Sequence, residues 1–140
     1  MRLLPSMLAP AALLAACTTS PLGRSQLALF PEAEMSQMGI TAYSEMKQQT
    51  PLETDARTNA YVRCVANAVT AALGPGQTAQ WEVTVFRDDS ANAFALPGGK
   101  IGVHTGLLKV ARDQNQLATV IGHEVAHVLA RHANERVSTN

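Results

Sequence analysis

Leu117-Ala118-Thr119-Val120-Ile121-Gly122-His123-Glu124-Val125-Ala126-His127-Val128-Leu129-Ala130 is the stretch on which the reading of this sequence turns. Its apolar residues recur at helical spacing, which predicts a long helix from about Asp113 to Arg136, buried over much of its circumference. Within it, His123 and His127 stand four residues apart. At 100° per residue their bearings differ by about 40° and their heights by about 6 Å, so both imidazoles can reach one ion from one face. Neutral imidazole nitrogen is a good Zn²⁺ ligand. Glu124 points about 80° from the midpoint of the pair, off the ligand position and toward that of a general base. A satisfied pair of core histidines is the alternative, and burying such polar groups unpaired is costly. His132 falls nearly opposite His123 on the wheel and reads as a poor ligand. Ala130 and Ala133 exclude the longer metzincin pattern, which needs Gly and His there.

Upstream of this helix the pattern has period two. Trp81-Glu82-Val83-Thr84-Val85-Phe86 alternates as a half-buried strand. Asn92 to Leu96 forms a second strand, stopped by Pro97-Gly98-Gly99 and therefore placed at a sheet edge; a plain hairpin turn is the other reading. Lys100-Ile101-Gly102-Val103-His104 is a third, with His104 read as a strand residue near the site. Further back lie two helices. One starts at Pro31-Glu32-Ala33-Glu34 and carries Met35, Met38, Ala42 and Met46 as its apolar stripe. The other opens at Thr54-Asp55, carries Tyr61, Val65, Val69 and Leu73, and closes at Gly74-Pro75-Gly76. The fold class is thus α+β: a helical layer, a small mostly antiparallel sheet with an exposed edge strand, and a long H-E-x-x-H helix.

The chain has 140 residues, enough for one small domain. Apolar residues at 46% and charged ones at 16% exclude a disordered tail. Eleven Lys/Arg against eleven Asp/Glu give no net charge, and aromatics are 4%, so neither a basic grip on nucleic acid nor a base-stacking platform is expected. The first residues are different. A single Arg2, a short apolar run and Leu14-Ala15-Ala16-Cys17 describe a secretory signal peptide over residues 1–16. Leu14-Ala15-Ala16-Cys17 also resembles the bacterial lipobox, which implies lipidation of Cys17 and a membrane anchor. The alternatives are a plain secreted leader and a Cys17–Cys64 disulfide; Cys64 itself, within the second helix, reads as a buried thiol. Residues 17–30 are polar and Pro/Gly-punctuated, as a tether would be.

Three motifs in order carry a family resemblance: Asn92-Ala93-Phe94-Ala95-Leu96-Pro97-Gly98-Gly99, then Thr105-Gly106-Leu107-Leu108, then His123-Glu124-Val125-Ala126-His127-Val128-Leu129-Ala130-Arg131-His132. Together they resemble the zinc metallopeptidase family of the CAAX prenyl protease, HtpX and Oma type, and most of all its periplasmic lipoprotein branch of BepA and LoiP. The resemblance implies one Zn²⁺ per chain held by His123 and His127, with Glu124 as catalytic base. It implies substrate binding along Asn92, Ala93, Phe94 and Ala95, because a strand edge can pair with an extended peptide. It further implies hydrolysis of unfolded or misassembled envelope proteins by an outer-membrane lipoprotein facing the periplasm.

The same resemblance implies a third zinc ligand, a glutamate from a helix beyond this sequence. Glu135, the sole later acid, would lie about 12 Å further along a continuous helix. Residues 31–140 are therefore expected to be the N-terminal part of a larger peptidase domain, inactive by itself. A non-catalytic, chaperone-like envelope lipoprotein using the same strand edge is the second expectation.

Overall fold

A computed structural model describes residues 17–75, 77 and 80–140. The leader expected at residues 1–16 lies outside the described residues. The elements run β1 (Cys17–Thr19), β2 (Ser25–Leu27), α1 (Glu32–Gln49), α2 (Ala56–Ala71), β3 (Glu82–Phe86), β4 (Ala93–Leu96), β5 (Lys100–His104), α3 (Thr105–Leu108), α4 (Gln114–Leu129) and α5 (His132–Thr139).

The α+β reading holds. The main sheet has the order β3-β5-β4, with β3 parallel and β4 antiparallel to β5. Period-two alternation splits its side chains between two cores. Val83, Val85, Ala93, Ala95, Ile101 and Val103 face a layer formed by α2 and α4. Phe86 and Phe94 face α1, where they stack edge-on around Tyr43 with ring centroids 6.2 and 6.5 Å from it. The Tyr43 hydroxyl lies 2.7 Å from Thr84 Oγ1 and donates to the Ile101 carbonyl at 3.0 Å; burial pushes its pKa up to about 12.

Both predicted helices form, but their buried faces are rotated from the expected stripes. In α1 the buried residues are Met35, Gly39 and Tyr43, while Met38 and Met46 are 45% and 37% exposed. Gly39 is there because α1 crosses the Pro97 turn so closely that a Cβ would overlap the Pro97 carbonyl. In α2 the buried residues are Val62, Val65, Ala66 and Thr70; Tyr61 is at the surface and so, against expectation, is Cys64. The Asp55 carboxylate caps α2 by accepting from Thr58 N.

Two further expectations fail for physical reasons. Residues 17–30 are no tether: β1 and β2 pair antiparallel, and the segment after them is bonded to α5. Asn134 Nδ2 donates to the Phe30 carbonyl at 2.8 Å, Leu29 N donates to Ser138 Oγ at 2.9 Å, and Arg24 pairs with Glu135. The long final helix is in fact two. Arg131 adopts φ 57°, ψ 30°, the left-handed region, and this one residue ends α4 and turns the chain into α5.

Candidate metal centre and peptide-binding edge

The α4 helix is pinned by Leu117, Ile121 and Val125, each no more than 1% exposed and each four residues from the next. The two histidines lie two residues after members of that stripe, about 200° around the helix, and so face outward. His123 is exposed, while Glu124 and His127 are half-buried. The helix is thus less buried than the sequence pattern implied, and burial cost does not by itself argue for a ligand at His123. Geometry does. The Nε2 atoms of His123 and His127 converge to 2.9 Å, with the rings nearly perpendicular at 86°. Two imidazole nitrogens on one tetrahedral zinc lie about 3.3 Å apart, so a few tenths of an ångström of side-chain movement seats an ion between them.

These residues fit a zinc ion as two of its ligands. Among the described residues no cluster of three His, Cys, Asp or Glu side chains is placed to hold a metal. Glu124, one residue along the same turn, has no hydrogen-bond or ion-pair partner among the described residues.

His132 is the residue that sequence reasoning misplaced. On a continuous helix it would lie about 140° from His127. The left-handed turn at Arg131 folds it back, and its Nδ1 sits 2.6 Å from His127 Nδ1. Glu135 moves with it. It pairs with Arg24 in a groove of about 380 Å³ that His127 and His132 also line. No glycine or proline at 130–133 marks this break in the sequence.

β4 lies against α4 at the edge of the sheet. Its register with β5 pairs Ala93 with Val103, Phe94 with Gly102 and Ala95 with Ile101. His104 N donates to the Asn92 carbonyl at 3.0 Å, which fixes the phase of the ladder. Asn92, Phe94 and Leu96 then bond inward to β5, whereas Ala93 and Ala95 direct their N–H and C=O groups to the open edge. The opposite edge, at β3, is partly covered: Glu53 N donates to the Val85 carbonyl and Arg87 N to the Pro51 carbonyl. The four residues singled out on this strand therefore divide. Ala93 and Ala95 turn their N–H and C=O groups away from β5 and their methyl groups to the α4 side; Ala93 is buried and Ala95 half-buried. Phe94 spends its backbone within the sheet, as does the Asn92 carbonyl, while the Asn92 N–H donates to the Ser90 carbonyl at 3.0 Å; the Phe94 ring covers Gly102 on the α1 face.

His104 also lies on that α1 face, in edge contact with Phe86 and Phe94, away from α4. Its Nδ1 is 2.7 Å from Ser90 Oγ and 3.5 Å from Asp88 Oδ1. Hydrogen bonds from Ser90, with a smaller contribution from His104, hold the Asp88 carboxyl below its usual range. This cluster pins the turn after β3. Cys17 is exposed at the start of β1.

The model of peptidase family M48 matches residues 56–140. The mitochondrial metalloendopeptidase OMA1 of Schizosaccharomyces pombe is 41% identical over 81 residues, 58% of this chain and 24% of that protein. The bovine (Bos taurus) metalloendopeptidase OMA1 is 33% identical over 122 residues, 83% of this chain and 23% of its own length. The beta-barrel assembly-enhancing protease of Escherichia coli is 27% identical over 124 residues, 89% of this chain and 25% of the relative. The chain thus spans about a quarter of the length of these relatives.

Proposed function

The chain belongs to peptidase family M48, and from that premise we propose that it carries the metal-binding and proton-transfer residues of a zinc metalloendopeptidase. The observation that supports this most directly is the convergence of His123 and His127 Nε2 with the unpartnered Glu124 carboxylate on the same turn. When bound, zinc would polarise the scissile carbonyl and make water a stronger nucleophile at neutral pH. The remaining work falls to the chain itself. An extended substrate pairs with the N–H and C=O groups of Ala93 and Ala95, which holds the scissile amide near α4. Glu124 accepts a proton from the attacking water as the new C–O bond forms. It then gives that proton to the amide nitrogen as the C–N bond breaks, releasing a carboxyl and an amine product. His123 and His127 would supply two of the ligands of such an ion.

The substrates we infer are unfolded or misassembled cell-envelope proteins. The relatives named as beta-barrel assembly-enhancing proteases support this class. An edge strand also reads backbone rather than side chains, which suits substrates recognised by lost structure. We further assign Cys17 as a lipidation site at the end of a leader, placing the protein on the outer membrane facing the periplasm. A second reading, peptide capture without hydrolysis, is supported by the β4 edge, which can pair with an extended chain without a metal.

Glu124→Gln separates the two readings. In zinc-loaded protein carrying this chain, it is expected to lower hydrolysis of an unfolded protein substrate 10²–10⁴-fold with zinc content unchanged. Undiminished cleavage would remove Glu124 from the role, and substrate retention without any cleavage in the parent protein would favour capture.

A further inference from the structure

His127 has two ring nitrogens, and the fold occupies both. Nε2 faces His123 Nε2 at 2.9 Å, and Nδ1 faces His132 Nδ1 at 2.6 Å, with the His127 and His132 ring centroids 4.9 Å apart. A neutral imidazole carries one proton and one lone pair. To ligate a metal, His127 must present the lone pair at Nε2, which leaves its proton on Nδ1. The group facing that proton must then accept it. Since His132 Nδ1 is the facing atom, His132 must itself be protonated at Nε2.

We propose that His132 is a positioning residue of the metal centre: its Nδ1 accepts the hydrogen bond that fixes His127 as the Nδ1–H tautomer and sets the plane of its ring. This rests on the reading of His123 and His127 as the metal-binding pair. The backbone supports it independently. His132 meets His127 because Arg131 takes a left-handed conformation that L residues with a side chain seldom adopt. Strained backbone of this kind gathers where the placement of a neighbouring group matters. Asn134, two residues further on, is buried and bonded to Phe30, so the start of α5 is held from its far side as well. A metal-ligating histidine commonly passes its second N–H to an outer acceptor, and loss of such a partner typically costs 10–100-fold in metal affinity.

Zinc titrated into protein carrying this chain, in competition with a chromogenic chelator, tests this. His132→Ala is expected to weaken zinc binding 10–100-fold, and His132→Asn, whose side-chain oxygen can accept the same bond, to restore it to within about threefold. ¹⁵N NMR of the zinc-loaded wild type should show His127 protonated at Nδ1 and the resonances of His132 without a metal-induced shift. Circular dichroism reports whether each variant keeps the fold. Equal zinc affinity in wild type and His132→Ala overturns the positioning role and leaves the ligand pair standing. A metal-shifted His132 nitrogen overturns it by making His132 a ligand. No zinc binding by the wild type, or none lost in His123→Ala, overturns the ligand pair and this proposal with it.

Discussion

At the scale of single residues, the conformation of Arg131 decides how the metal pair is surrounded. A left-handed residue with a side chain costs about 1–2 kcal/mol relative to the right-handed form. Glycine takes that conformation freely but loses more entropy on folding, and the exposed pair with Glu32 contributes little. Arg131→Gly is therefore expected to keep stability within about 0.5 kcal/mol, and Arg131→Val, β-branched and intolerant of positive φ, to lose about 1–2 kcal/mol. Urea unfolding of the two variants measures this. That His123 and His127 share one face of a helix was legible in the sequence, because i, i+4 spacing inside one helix is independent of everything beyond that helix. His132 was not. Its position depends on a break at Arg131, and Ala130-Arg131-His132-Ala133 is made of residues that continue helices as readily as they end them.

At the scale of elements, the β4 edge makes a prediction that separates neighbouring residues. Proline removes an N–H, which matters to the fold only where that N–H bonds within the sheet. Phe94→Pro is expected to cost about 3 kcal/mol or more, because the Phe94 ring leaves its stack with Tyr43 and Phe86 and the Gly102 carbonyl facing it on β5 loses its partner. Ala95→Pro is expected to leave the melting temperature nearly unchanged while weakening capture of an extended peptide, read as a raised KM or Kd. A clear drop in the melting temperature of Ala95→Pro would mean that the Ala95 N–H bonds within the sheet and that the ladder has the opposite phase. The strands were legible by period two, and their division between two cores follows from it. Which neighbour each strand takes was not legible: alternation is the same for parallel and antiparallel partners, so the parallel pairing of β3 with β5 had no signature. The buried faces of α1 and α2 were misjudged for a related reason. Met38 and Tyr61 are apolar but surface-lying, while Gly39 and Thr70 are buried where a close helix crossing or a neighbouring carbonyl suits them.

At the scale of the whole molecule, charge ties the layers together. Glu82 on β3 accepts from Lys100 on β5 at 2.7 Å and from Lys47 on α1 at 2.8 Å. The hydrogen bond from Lys100, then that from Lys47, hold its carboxyl below the ordinary value of 4.5. A depressed carboxylate contributes stability that is fully present above its unfolded pKa and is lost as pH falls through the folded one. Thermal melts are therefore expected to hold steady near neutrality and to fall below about pH 4.5, and Glu82→Gln should flatten that acid limb. Melts of the variant that track the wild type down to pH 3 would remove Glu82 as a contributor. The same scale shows why residues 17–30 misled. Strands of three residues are too short for any period, and polar composition does not distinguish a free linker from one bonded to a distant helix.

That distant bonding has a consequence for biosynthesis. Phe30 and Asn134, which exchange hydrogen bonds through two atoms each, are separated by 104 residues. At ribosomal speeds of about 5–20 residues per second, the first-made segment waits on the order of ten seconds for its docking surface to emerge. During that interval the nascent amino-terminal ribbon is uncovered and open to whatever handles new chains. The groove wall beside His127 closes only after translation has passed its far side.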